Sequence, residues 1–196
     1  KRFDDNYFDV AIVDPPYGIG RSGQTETFTK NPKHKRKHFA DKGWDTETPA
    51  SDYWNELFRV SKNQIVWGGN YFANMLPNSE CWLIWDKGQR DFSLADGEMA
   101  WASFDKAMRI HTLHRAVANQ ENKMHPTQKP VKLYDWIFSK FASKGDLILD
   151  THVGSGSSRI AANKAGFNFV GFEINPIFYE AQEKRFKDFV SQLRMF

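Results

Sequence analysis

The chain of 196 residues holds a single cysteine, Cys81. One cysteine excludes an intramolecular disulfide and a cysteine-based zinc cluster, and predicts a reducing, cytoplasmic setting. No apolar run approaches the ~18 residues of a membrane span, so no membrane is expected as a partner. Net charge is scarce as well: 27 Lys and Arg against 24 Asp and Glu leave +3, too little to mark a polyanion ligand by itself. No charged-then-apolar leader opens the chain, and Lys rather than Met stands first, which predicts a native start upstream of Lys1. What is present suits one globular domain over 1–196, with 40% hydrophobic and 26% charged residues.

Six short apolar runs bounded by turn residues predict strands at 8–14, 64–69, 81–86, 98–104, 146–150 and 167–173. Most are too continuously apolar to have only one buried face. Helical patterns lie between them. The segment 48–62 places Trp54, Leu57 and Phe58 on a buried face, with Phe72 beyond it. The segment 129–142 aligns Val131, Tyr134, Ile137, Phe138 and Phe141, with Pro130 in the first turn. A further helix follows Gly154 and stops at Gly166, and the last begins behind Asn175 as cap. Strands alternating with helices predict an α/β fold, a mostly parallel doubly wound sheet.

The distribution of charge says more than its sum. Residues 30–42, "KNPKHKRKHFADK", carry six Lys or Arg against one Asp without apolar periodicity, and read as part of an exposed, mobile basic loop spanning 18–49. Lys33, Lys35, Arg36 and Lys37 within it are candidate phosphate contacts. The spacings of His34, His38, His111 and His114 lack a carboxylate or thiolate in pattern, so no metal is expected.

"DLILDTHVGSGSSRIAANKAGFNFVGFE" reads as a strand, a glycine turn, a helix and a second strand ending on an acid. In such a unit the glycines let backbone approach a ligand, and a carboxylate at the next strand end accepts the hydroxyls of a ribose. Glu173 stands 19 residues after Gly154, close to the expected interval of about 20. Neither phosphate signature is complete: Arg159 fills the third slot of the dinucleotide pattern, and the Gly-Lys-Ser/Thr of a P-loop is absent. Asp150 at the head of the turn would repel a pyrophosphate and attract an ammonium group. Ribose and ammonium without phosphate is the description of S-adenosylmethionine.

"AIVDPPYGIG", residues 11–20, ends an apolar strand with an acid, two prolines and an aromatic ring. Adjacent prolines donate no ladder hydrogen bonds, so the strand stops at Asp14. Placed at the carboxyl end of a parallel strand, Asp14 would share a crevice with Gly154. An exocyclic amine on a nucleobase is a poor nucleophile because its lone pair is delocalised. The Asp14 carboxylate and the Pro15 carbonyl offer two acceptors for its N–H groups, Pro16 stiffens the turn, and Tyr17 offers a face for an everted base. Cytosine C5 chemistry would need a cysteine nucleophile, and Cys81 sits inside an apolar strand, where packing is its expected role.

"DPPY" at 14–17, "HPTQKP" at 125–130 and "DTHVGSGSS" at 150–158, in that order, resemble the β-class amino-methyltransferases of DNA, chiefly the adenine-N6 group. Nearly the whole chain takes part, because "GWD" (43–45), "VWGGNYF" (66–72), "CWLIWDKG" (81–88) and "EMAWASF" (98–104) are similar to the blocks between those motifs. The resemblance implies a Rossmann-like S-adenosylmethionine-dependent methyltransferase sheet in circularly permuted order, the catalytic half preceding the cofactor half. It also implies site-specific methylation of adenine N6 in DNA, with Asp14, Pro15, Pro16 and Tyr17 as the catalytic turn. Asp150, Thr151, Gly154, Ser155, Gly156 and Ser157 would hold the methionine end of the cofactor, Glu173 the ribose, and Thr127, Gln128 and Lys129 would line the cofactor from their loop.

Such sequences usually carry a short block with a strand ahead of the position of Lys1. They often carry a large target-recognition insert where this chain has only 105–124, in which Arg109 and Arg115 are the candidate phosphate contacts, beside Lys106, His111 and His114. Site reading then falls to that segment, to the 18–49 loop, to a second subunit in a homodimer or to a separate specificity partner. The alternatives are a cytosine-N4 DNA methyltransferase, an RNA adenine-N6 methyltransferase, and a partner-dependent nucleic-acid-binding subunit with a vestigial site.

Overall fold

The computed structural model describes residues 2–23, 38, 40, 43–90, 95–118, 124–125 and 127–193. Seven strands form one sheet: β1 (Phe8–Val13), β2 (Ser61–Trp67), β3 (Trp82–Asp86), β4 (Gly97–Ala102), β5 (Arg109–Thr112), β6 (Leu147–Asp150) and β7 (Asn168–Gly171). Their spatial order is β5-β3-β4-β2-β1-β6-β7. β1 runs parallel to β2 and β6, β7 parallel to β6, and β5 parallel to β3. Only β4 is antiparallel to its neighbours. The chain therefore starts in the middle of the sheet, builds outward through β2, then returns to the other side of β1 with β6 and β7. The strand order reverses between β1 and β6, where open α/β sheets open a crevice beyond their carboxyl ends.

Over residues 10–13 the alternation of β1 divides its side chains between two apolar layers, which explains the continuous apolarity of that run. Val10 and Ile12 join Ile65, Trp67, Leu83 and Ile148 under helices α3 (Val131–Phe141) and α4 (Ser157–Ala165). Phe8, Ala11 and Val13 join Val66, Trp101 and Leu149 under α1 (Ser51–Val60). Cys81 is fully buried in the first layer, in the packing role expected of it. Of the described helices, none is long and apolar enough to cross a membrane.

The six predicted strands are present with shifted ends. Residues 61–62, predicted as helix, open β2 because pairing with β1 begins at Ser61. Gly68 and Gly69, predicted as strand, turn out of it, Gly68 with φ 71. The seventh strand, β5, was not predicted: it is a short, mostly exposed edge that forms a strand because β3 offers a partner. On α3 the buried stripe includes Leu133, whereas Val131 is half-buried, and Pro130 stands just before the first turn rather than within it. Gly166 terminates α4 at φ 76. Asn175 Oδ1 accepts the N–H of Ile177 at 3.0 Å and opens α5 (Pro176–Leu193), as its cap assignment required.

Candidate active site

Two turns meet at the switch point, one after β1 and one after β6. The first is shaped by a residue from outside it. The Asp45 carboxylate, 3% exposed, accepts the N–H groups of Tyr17 (2.7 Å), Gly18 (2.9 Å) and Arg21 (2.8 Å). A chain broken by two prolines cannot satisfy these amides by ladder bonds, so a buried acid supplies the acceptors. The neighbouring Trp44 ring lies against His125, which also meets Phe178 of α5 edge-on, so the 43–45 segment ties the first turn to the 125–130 loop.

Asp14 is held from two sides. The Tyr17 hydroxyl donates to Oδ1 at 2.7 Å, and the Lys129 ammonium donates to Oδ2 at 2.5 Å. Each oxygen keeps capacity for a further donor, because an ionised carboxylate has about four acceptor positions. Tyr17 in turn is stacked on Tyr71, with ring centroids 4.8 Å apart and planes 14° apart. A stacking base would therefore use the other face of Tyr17 or displace Tyr71. Burial and the charges of Asp14 and Glu98 push the Tyr17 phenol well above its ordinary value, which keeps it a donor.

The second turn carries its own buried acid. Asp150 accepts the Ser158 hydroxyl at 2.5 Å and the His152 N–H at 2.9 Å. Burial raises its carboxyl to about 7 against those two donors, and the negative charges of Asp14 and Glu173 add to the rise. The two turns are thus close enough for their acids to repel. Gly154 and Gly156 adopt φ 53 and 77, where a side chain is strained, and a Cβ at Gly156 would meet Gln182 at 3.2 Å. Glu173 accepts the Gly154 N–H at 2.9 Å and the Asn175 N–H at 2.8 Å, so the acid at the end of β7 is anchored on the glycine turn.

The remaining expected site residues divide. The Thr151 hydroxyl pairs with the Tyr53 hydroxyl at 2.8 Å, joining the second turn to α1. Ser155 and Ser157 are buried, and Arg185 of α5 donates to the Ser155 carbonyl at 2.8 Å and the Ser157 hydroxyl at 2.9 Å. Thr127 bonds His125, and Gln128 accepts the Met124 N–H at 3.0 Å. Lys129, placed beside the cofactor by resemblance, lies on Asp14. Arg159 pairs with Glu183 and covers the Phe186 ring at 3.9 Å, so it ties α4 to α5 where a dinucleotide motif would leave room for phosphate. Lys33, Lys35, Arg36, Lys37 and the Arg115 side chain lie outside the described residues. Arg109 is exposed on β5 and bonds the Met108 carbonyl, and Lys106 donates to the Lys140 carbonyl at the end of α3.

Asp45, Ser158, Glu98 and Tyr71 were not among the expected site residues. They lie in the blocks "GWD", "DTHVGSGSS", "EMAWASF" and "VWGGNYF", but nothing in the spacing of any of these tells which side chain turns inward.

This sheet order, its single antiparallel strand and the two acid-bearing turns define the fold of S-adenosylmethionine-dependent methyltransferases. The M1.HpyAVI–SAM complex superposes with a TM-score of 0.61 at 17% identity, covering 92% of this chain and 89% of that one. The PvuII DNA methyltransferase, cytosine-N4-specific, gives 0.60 at 13% identity, covering 94% and 81%. Residues 64–184 match the family model described as DNA methylase, N6_N4_Mtase, and the chain belongs to that family. Among curated relatives, the Type II methyltransferase M.HpaI of Haemophilus parainfluenzae is 33% identical over 94% of this chain and 70% of its own length. M2.DpnII of Streptococcus pneumoniae, also a Type II methyltransferase, is 36% identical over 90% of this chain and 81% of its own length.

Proposed function

We propose that this chain transfers a methyl group from S-adenosylmethionine to the N6 amine of adenine in DNA. The observation that carries the reading is the pair of acids at the switch point: Asp14, held by Tyr17 and Lys129, faces the same carboxyl edge as Asp150 and the Gly154 turn.

The site suits the cofactor on its own chemistry. A buried carboxylate raised to about 7 gains from a neighbouring ammonium, and Glu173 stands on the glycine turn where a ribose would be met. Ile174, 99% exposed next to Glu173, offers an apolar surface for an adenine ring. S-adenosylmethionine supplies an electrophilic methyl on a sulfonium. Asp14 and the Pro15 carbonyl accept the two N–H groups of the target amine and turn its lone pair out of conjugation. Tyr17 orients Asp14 through its hydroxyl and presents its ring to the base, which leaves the duplex to reach it. The acid at position 14 supports adenine, since the cytosine-N4 group more often begins this tetrapeptide with Ser. Mass analysis of nucleosides from DNA incubated with the protein and cofactor tests the reading: N6-methyladenine is expected, and N4-methylcytosine alone would overturn it.

Two further outcomes follow from the geometry. Cofactor affinity rises as the pH rises through about 7, because Asp150 must lose its proton to pair with an ammonium. Asp150→Asn flattens that dependence in calorimetric titration. Binding is the better readout than melting. Asp150 contributes stability that is lost as pH rises through about 7, while His152, held by burial at about 4, loses stability as pH falls below its ordinary range.

The second outcome concerns Gly68→Ala. Gly68 has φ +71, and a Cβ there would lie 2.3 Å from Tyr17 Cε1, so the ring must leave its place. A loss of about 1–3 kcal/mol in urea unfolding is expected, together with loss of methyl transfer.

A further inference from the structure

Lys129 is 4% exposed, and its ammonium lies 2.5 Å from Asp14 Oδ2, 3.4 Å from Glu98 Oε2 and 3.3 Å from the Tyr17 hydroxyl. Its charge also sits 5.0 Å from the centre of the Trp67 ring, at the end of β2. Glu98, on β4, is held from behind by Lys87 at 2.7 Å. The result is a line of alternating charge, Asp14, Lys129, Glu98, Lys87, running from the catalytic turn across to β4.

Stability does not explain such a line. Apolar replacements of buried ion pairs are often neutral or stabilising. What the line does supply is direction. Asp14 stands directly after β1, at the head of a turn broken by two prolines, and its two oxygens are fixed by donors from different elements: Tyr17 from its own turn, Lys129 from the entry to α3. Glu98 fixes the ammonium in turn, so the carboxylate plane is set by the sheet and not by the turn alone.

We infer that Lys129 is a positioning residue for methyl transfer, orienting and charge-balancing Asp14 through the Glu98–Lys87 pair, rather than a contact to the cofactor. The inference rests on the reaction proposed above. An amine clamp needs an ionised acceptor in a fixed plane, and an ammonium at hydrogen-bond distance favours that form while leaving acceptor positions for the base. The groups facing Lys129 are Asp14, Tyr17 and Glu98, with Lys87 behind; Tyr134 of α3 and Asp150 of β6 act on the same acid cluster. Burial would lower the Lys129 ammonium, but the two carboxylates outweigh it and raise it, so Lys129 stays charged over the working range. Likewise burial would raise Glu98, yet Lys129 and Lys87 hold it at about 2.

The test is steady-state methylation of DNA by the wild-type chain and by K129M, K129R and E98Q, with cofactor binding followed by calorimetry. K129M is expected to lower kcat on the order of 100-fold, the scale of losing one preorganised electrostatic partner. Cofactor Kd stays within about two-fold of wild type, so the loss falls on kcat and not on binding. K129R recovers much of kcat, and E98Q falls between. Should K129M fail to fold, a loss of kcat in E98Q at unchanged cofactor Kd, with kcat kept in K129R, reads the same positioning role. Wild-type kcat in K129M, or in E98Q where K129M does not fold, would overturn the inference, as would a loss confined to cofactor affinity. A wild-type chain that methylates no DNA strikes the proposed reaction instead. The Lys129 ammonium signal in 15N spectra then decides the ion pair: it is expected to be slowly exchanging and to change in D14N, and an unchanged signal would remove the pair.

Discussion

Asp14→Asn is expected to leave the chain folded and able to bind S-adenosylmethionine, while methyl transfer to DNA falls on the order of 10²- to 10³-fold. The substitution keeps the side chain's size and one acceptor oxygen. The Tyr17 hydroxyl can turn to accept from the new amide, and Lys129 retains Glu98, so no buried cation is stranded. What disappears is the negative charge and half of the acceptor capacity facing the target amine. Methyl incorporation from labelled cofactor reads the loss, and calorimetry with cofactor reads what is kept. Undiminished incorporation would remove Asp14 from the chemistry.

Asp45→Ala is expected to cost more in stability than any exposed substitution in the chain. Its carboxylate is the acceptor for three backbone N–H groups of the catalytic turn, and alanine leaves all three without it. Charge-assisted bonds of this kind are worth about 1.5–3 kcal/mol each where buried, but Gly18 and Arg21 are exposed enough for water to replace part of the loss. A net loss of about 2–4 kcal/mol in urea unfolding is therefore expected. Methyl transfer falls with it, because Tyr17 loses the anchor that sets its hydroxyl on Asp14. Asp45→Asn keeps one acceptor oxygen and should fall between. Stability unchanged in Asp45→Ala would mean that the turn is held by its prolines alone.

These two acids differ in how they could be found. Asp14 announces itself through its neighbours, since an acid followed by two prolines at a strand end cannot be ordinary ladder. Asp45 sits in a stretch with no periodicity, 28 residues beyond the amide it binds, and nothing local distinguishes it from any loop acid. Lys129 is an intermediate case. Its motif is conspicuous, but its partner is 115 residues away, and resemblance put it beside the cofactor rather than on the catalytic acid. The edge strand β5 escaped for the opposite reason, because Arg109–Thr112 is short and mostly exposed, with one apolar residue, Ile110, and its conformation is set by β3. Arg159 shows the reverse, where an anomaly in a glycine motif was legible and its explanation, a pair with Glu183 on α5, was not.

By itself the order of residues determined the element types, the two turns that carry chemistry, the interval from Gly154 to Glu173 and the core role of Cys81, because periodicity, proline, glycine and buried apolar runs act locally. Only the tertiary structure decided which strands adjoin, that Asp14 and Asp150 share an edge, and which distant side chains satisfy and aim them. Pairing and charge contacts between residues over a hundred positions apart depend on chain topology, and no local pattern encodes that.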